Sequence, residues 1–249
     1  MKWSMNSASI IGVNHIWDRS NRQDFVITAE KNGYLYGVVC DGCGSGSNSE
    51  FGACLIGNAL LHRLMTYGGI YLEEGKMSLI CTSIQANLKS TLEAIMFHVL
   101  AVESNSATKV KFIENQLLST FLFFIADNGN GKVIVGSCGD GIIITDNDIR
   151  VIDQSDMPHY IAYDLVPKDR LMIQAHDLTG VTASLLEVKK VVIATDGVQP
   201  LLNSDTWQQV LYGTTGRQLQ RKFNVLQTKD KLFDDDASCI VLEQVEEQT

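Results

Sequence analysis

Four aspartates in this chain share one setting. Asp41, Asp140, Asp196 and Asp235 each stand where an apolar run meets a turn, and the first three have a glycine beside them. A carboxylate just past a strand end can point into a shared cleft while the strand holds its position. Hard divalent cations such as Mg2+ and Mn2+ take oxygen ligands of this kind, with water completing the octahedron. A neighbouring glycine lets the backbone come close enough for its carbonyl to serve as a further ligand. One Asp-Gly pair alone is ordinary turn chemistry, so the metal reading rests on the recurrence.

Other chemistries find less support. Cys40-x-x-Cys43 has the form of a redox or half-zinc motif, but no second pair exists, and the six cysteines lie at irregular spacings, mostly inside apolar runs. That pattern suggests reduced core thiols of a cytoplasmic protein. His15, His62, His98, His159 and His176 are scattered and form no His-x-x-x-His pair, which argues against zinc. The loop Gly42-Cys43-Gly44-Ser45-Gly46 lies between a strand and a helix, as in nucleotide-binding modules. It lacks both the Gly-x-Gly-x-x-Gly spacing and the Lys-Ser/Thr pair of a P-loop.

The elements that must position the aspartates can be read from periodicity. Ala8–Trp17, Phe25–Lys31 and Tyr34–Cys40 are expected strands, the last two joined by the turn Lys31-Asn32-Gly33. Ser49 to about Tyr67 has helical spacing, with Ser49 as N-cap and Gly68-Gly69 as stop. Met77 to about Val102 carries a stripe of Ile80, Ile84, Leu88, Leu92, Ile95 and Val99. Strands are then expected at Ser119–Ala126, Lys132–Ser137, Gly141–Thr145, Leu171–Ala175, Val188–Thr195 and Ala237–Val245, with helices at Asp205–Val210 and Arg217–Leu226. Strands, two helices, then many strands fit a layered α+β sandwich better than an alternating βαβ chain.

With 249 residues, 45% of them hydrophobic, the expectation is one domain spanning residues 1–249. The net charge of −9 and the absence of a basic stripe argue against a nucleic-acid partner. No run reaches the roughly 18–20 apolar residues of a membrane span. The start, Met1-Lys2-Trp3-Ser4, has no apolar stretch behind its lysine, so a soluble, unexported, cytoplasmic monomer with no membrane partner is expected.

Five segments, in order, resemble the motifs of metal-dependent protein phosphatases of type 2C. They are Arg19-Ser20-Asn21-Arg22-Gln23-Asp24-Phe25, Val38-Val39-Cys40-Asp41-Gly42-Cys43-Gly44, Val135-Gly136-Ser137-Cys138-Gly139-Asp140, Val192-Ile193-Ala194-Thr195-Asp196-Gly197-Val198 and Asp235-Asp236-Ala237-Ser238-Cys239-Ile240-Val241. The resemblance implies a four-layer αββα sandwich of two antiparallel sheets flanked by helices, with two Mn2+ or Mg2+ ions in a cleft at one end. It implies that Asp41 bridges both ions, Gly42 offers its carbonyl, Asp196 and Asp235 complete the first site, and Asp24 holds metal-bound water. Arg19 would clamp the substrate phosphate, and Asp140 would brace the centre of the fold. The implied activity is a phosphoprotein (Ser/Thr) phosphatase, hydrolysing phosphate monoesters by a metal-bridging hydroxide.

Departures from the family pattern touch this reading. Gln23 stands where members often have glutamate, Cys43 where a histidine or methionine is common, and Asn115 where an aspartate holds a third ion in bacterial members. They leave open an alternative: a weak or inactive pseudophosphatase acting as a phosphoprotein-binding regulatory module. The segment from Gln154 to Lys189, with Met157-Pro158-His159-Tyr160 and Tyr163, corresponds to the family's variable flap.

Overall fold

The structure is a computed structural model that describes residues 2–72, 76–100, 105–146, 148–155, 158–166 and 180–245. It opens with strand β1 (Lys2–Ile10) and helix α1 (Val13–Asp18), then the hairpin β2 (Phe25–Lys31) and β3 (Tyr34–Gly42). Three helices follow, α2 (Ser49–Tyr71), α3 (Met77–Val99) and α4 (Ser106–Gln116). Next come β4 (Ser119–Asp127), β5 (Lys132–Cys138), β6 (Gly141–Thr145), β7 (Asp148–Ile152), β8 (Thr182–Glu187) and β9 (Lys190–Ala194). Helices α5 (Gln199–Leu202), α6 (Trp207–Leu211) and α7 (Gln218–Asp230) lead into the closing strand β10 (Ala237–Val245).

The strands form two five-stranded antiparallel sheets, ordered β1-β10-β9-β6-β7 and β2-β3-β4-β5-β8. Period-two alternation along the central strands sets the layers. On β4, Phe121, Phe123 and Ile125 join Val38 and Cys40 of β3 under α2 and α3, where Ile56, Leu60, Leu64, Ile80, Ile84 and Leu88 cover them. The intervening Leu122, Phe124 and Ala126 point the other way and meet Ile193, Ile240 and Leu242 of the facing sheet. That sheet's outer face, with Val192, Cys239 and Val241, is covered by Leu219 and Phe223 of α7 and by Phe233. Both faces of β4 are therefore buried, which is why its sequence is continuously apolar rather than alternating. The layers run helix, sheet, sheet, helix, as the αββα expectation has it.

Several expected elements are revised. The first strand ends at Ile10, where its partner β10 begins at Ala237, and Val13–Asp18 is helical instead of continuing the strand. Helix α2 runs through Gly68-Gly69 to Tyr71. Gly68 is an approach point and not a stop: a Cβ there would overlap the Tyr36 phenol. Asn48, not Ser49, holds the N-cap position of α2, and its side chain makes no capping hydrogen bond. Helix α4 was not foreseen, although Asn105 caps it by accepting from the Thr108 amide at 2.9 Å. Strands β7 and β8 were not foreseen either; they are sheet edges, and half-solvated strands carry a weak apolar signal. The expected strand Leu171–Ala175 lies outside the described residues.

Candidate active site

Antiparallel pairing brings one end of both sheets together. Strands β3 and β9 finish there, at Asp41-Gly42 and just before Asp196, while β2, β4, β6 and β10 begin there. The chain immediately before β2 contributes Gln23 and Asp24, the loop before β10 contributes Asp235 and Asp236, and the turn between β5 and β6 contributes Asp140. All five sequence motifs line one cavity of about 190 Å3, through Gln23, Asp41, Asp140, Asp196 and Asp235, and Asp24 of the first motif is buried beside it. Gly197 is needed by packing, because a Cβ there would overlap the Asp236 carbonyl where two motif loops cross.

Asp24 lies beneath this cluster, 4% exposed. Thr195 Oγ1 donates to its Oδ2 at 2.9 Å, and the same Oγ1 accepts the Ser238 amide at 3.0 Å. Oδ1 of Asp24 is buried with no hydrogen-bond partner among the described residues. Burial pushes the Asp24 carboxyl up to about 7, with repulsion from Asp236 and Asp196 adding to it and hydrogen bonds from Ser238 and Thr195 opposing it. Burial, and then the charges of Asp24, Asp196 and Asp235, hold Asp41 well above the usual carboxylate range. Burial and Asp235 raise Asp196 in the same way. Carboxyl groups that discourage one another's ionisation in this manner mark a place fitted for positive charge.

The remaining expected residues are placed less directly. Arg19 is exposed at the C-cap of α1 with φ 57°, its amide donating to the His15 carbonyl, and its guanidinium lies outside the cavity lining with no ion pair or hydrogen bond among the described residues. Asp140 lines the cavity and also accepts the Gln154 amide at 2.7 Å, a bracing contact. Gln23 is buried and turns toward the glycine loop, its Nε2 lying 3.4 Å from the Gly46 carbonyl. Asn115 sits on α4, where its carbonyl accepts the Asn48 amide. Of the expected flap, Pro158 and Tyr160 line the cavity, and the Tyr160 hydroxyl meets the Cys43 thiol; residues 167–179 lie outside the described set.

Two residues in this region were not singled out from the sequence. His15 Nδ1 comes within 3.0 Å of Asp236 Oδ2 and 3.9 Å of Asp235 Oδ1, and the three side chains could share a cation. Burial lowers the His15 pKa, but Asp236, Asp235 and Asp24 outweigh it and the net shift is upward. Asp236 is buried and accepts both the Gly12 amide, at 2.8 Å, and the Gln23 amide, at 2.6 Å. The adjacent carboxylates thus divide their work: Asp235 faces the cavity and Asp236 holds the chain that surrounds it. No spacing in the sequence links His15 to Asp236; pairing of β1 with β10 brings them together.

A larger cavity of about 480 Å3, between α3 and α4, shares no residue with this one. Its lining is mostly Met96, Phe97, Leu100 and Leu165, so the convergent carboxylates and not the greater volume locate the chemistry.

The family model described as Protein phosphatase 2C matches residues 11–232. The chain belongs to that family. Phosphatase 2C enzymes are divalent-metal-dependent phosphoprotein serine/threonine phosphatases. The match ends three residues before Asp235, so the place of Asp235 rests on the geometry above. Among solved structures, the chain is similar to the serine/threonine phosphatase Stp1 from Staphylococcus aureus, with TM-score 0.62 and 14% identity over 99% of this chain and 96% of that one. It is also similar to PppA, a regulatory component of the type VI secretion system in Pseudomonas aeruginosa, with TM-score 0.60 and 15% identity over 98% of both chains. RsbX, crystallised with magnesium, matches with TM-score 0.56 and 14% identity over 97% of this chain and 95% of that one. At these identities the likenesses speak for the fold. No curated protein sequence matches the chain.

Proposed function

We propose that this phosphatase 2C chain removes phosphate from phosphoserine and phosphothreonine in proteins, using two Mn2+ or Mg2+ ions held by Asp41, the Gly42 carbonyl, Asp196 and Asp235. The observation that carries the reading is the convergence of Asp24, Asp41 and Asp196 at one end of the two sheets, each carboxyl held above its ordinary range. The donor set is all oxygen, which suits hard cations, and the unpartnered Oδ1 of Asp24 is placed to accept from a water between the carboxylates. RsbX, of similar fold, was crystallised with magnesium, which supports this choice of ion.

When bound, such cations supply Lewis-acid stabilisation of the phosphoryl oxygens and make water acidic enough to attack near neutral pH. The protein's own groups do the rest. Asp24, fixed by Thr195, orients water beneath the cleft. Arg19, on its short loop, is free to swing onto two phosphate oxygens with its planar fork. Gln23 presents an amide in place of a carboxylate and so leaves the second ion with one less negative charge. Asn115 likewise favours two ions over three. The inert reading has no observation in its favour, since Asp41 and Asp196 both stand in the cavity.

The same reading has a monomer acting on phosphoproteins in the cytoplasm. All six cysteines are free, three of them buried, which supports a reducing compartment. No helix among the described residues is long and apolar enough to cross a membrane. Turnover of p-nitrophenyl phosphate tests the proposal: it should need Mn2+ or Mg2+, vanish with EDTA, and fall by about 10²-fold or more in Asp196→Asn. Turnover that survives chelation, or an undiminished variant, would contradict it.

A further inference from the structure

Residues 12–23 form a closed loop on a single carboxylate. The Gly12 amide donates to Oδ1 of Asp236 and the Gln23 amide to Oδ2, so both ends of the loop meet one side chain. The Val13 and Asn14 amides donate to the Phe233 and Asp234 carbonyls, each at 3.0 Å. On the far side the Asn21 side chain donates to Glu50 Oε1 at 2.9 Å, tying the loop to α2. Short loops with their ends drawn together in this way are often functional.

What this tied loop displays is unusual. Trp17 is 72% exposed and Ile16 51%, the former the most exposed large apolar side chain among the described residues. Arg19 and Arg22 are exposed in the same loop and outnumber its one exposed acid, Asp18, in a protein whose net charge is −9. The base of the loop belongs to the active site, because Gln23 and Asp235 both line the cavity. Counted along α1 at 1.5 Å per residue, Trp17 lies within about 9 Å of the Asp236 latch, the reach of about three extended residues.

We propose that the face formed by Ile16, Trp17, Arg19 and Arg22 docks the polypeptide that flanks the phosphorylated residue. Its occupant is a phosphopeptide with an apolar side chain about three residues from the phosphate and acidic residues nearby. Charge complementarity argues for this occupant: a phosphate and its acidic neighbours meet an overall acidic protein, and these two arginines are the cations its loop offers beside the cleft. Tryptophan and arginine supply most of the binding energy at protein contacts. The inference rests on the phosphatase reading and names where that substrate is held.

Two phosphothreonine decapeptides test it, both rich in glutamate, one with phenylalanine three residues to either side of the phosphothreonine and one with alanine there. Binding is read by fluorescence anisotropy of labelled peptide, and turnover is compared with that of p-nitrophenyl phosphate. Trp17→Ala should weaken binding of the phenylalanine peptide about tenfold and lower its KM-dependent turnover alike, so that the ratio of peptide to aryl phosphate efficiency falls about tenfold. Trp17→Phe should restore most of the loss, and Arg22→Glu should weaken both peptides in a salt-dependent way. A ratio and a binding constant unchanged in Trp17→Ala would overturn the proposal, as would equal binding of the two peptides by the wild type. Should Trp17→Ala instead abolish self-association or binding to anionic lipid vesicles while peptide binding stays unchanged, the face belongs to a second copy or to a lipid surface and the proposal fails. A wild type that binds the phenylalanine peptide through Trp17 but hydrolyses neither substrate would uphold the docking face and defeat the phosphatase reading.

Discussion

At the residue scale, the account turns on a carboxyl group that would be a liability without a counter-charge. Asp24 is enclosed, hydrogen-bonded on one oxygen only, and surrounded by other acids. The hydrogen bond it accepts from Thr195 should therefore matter more than an ordinary hydroxyl contact. Thr195→Val keeps the shape but removes the donor to Asp24 and the acceptor for Ser238. Hydrogen bonds to charged groups contribute about 1.5–3 kcal/mol, so urea unfolding should show a loss of about that size. Mn2+ should also bind more weakly to the variant in calorimetry. Asp41, Asp196 and Asp235 could be selected from the sequence because strand ends announce all three and glycines the first two. Asp24 came only through the resemblance, since its neighbours Gln23 and Phe25 carry no turn signal. His15 and Asp236 could not be found either way, because nothing local records that a β1–β10 pairing will bring them together.

At the scale of elements, the site is a set of strand ends held by one polar latch. Asp236 joins the loop before β2 to the loop before β10, and α1 stands between them. Asp236→Ala would leave two buried amides without an acceptor, each costing about 1–3 kcal/mol. The expected outcome is a destabilisation of about 2–6 kcal/mol in urea, with the m-value unchanged; a loss under about 0.5 kcal/mol would show that the latch carries no load. Legibility followed burial here. Strands buried on both faces, such as β4, and the helices with a long apolar stripe announce themselves. The edge strands β7 and β8 do not, because they meet the core on one side or hardly at all. Within the expected strand Ala8–Trp17, residues 13–17 read as a continuation because Ile16 and Trp17 are apolar, yet no core receives these two. Hydropathy alone cannot distinguish apolar residues exposed in this way from buried ones.

At the scale of the whole molecule, part of the −9 charge is concentrated at one end of the sandwich, where Asp24, Asp41, Asp196 and Asp235 repel one another. In the metal-free protein, Asp24 is raised from 3.8 to about 7 and Asp41 and Asp196 are raised too, so between about pH 4 and 7 the folded state binds more protons than the unfolded one. Stability must then fall as pH rises through that window. His15, also raised, acts in the same direction, its contribution being present at low pH and lost as pH passes its folded value. The metal-free protein should accordingly melt at a higher temperature near pH 5 than near pH 8, and Asp24→Asn should narrow the gap. Cations held by these carboxylates would remove the repulsion. At a hundredfold excess over the dissociation constant, one ion contributes about 2.7 kcal/mol, or about 5–10 °C for a chain of this size. Scanning calorimetry at pH 8 with and without Mn2+ reads this directly.

Whether these strand-end aspartates form a cation site can be read from anomalous scattering by crystals grown with Mn2+. Two manganese peaks are expected in the cavity lined by Asp41, Asp196 and Asp235, with loss of both in Asp41→Asn. No peak there, or a single peak confined to His15 and Asp236, would contradict this expectation.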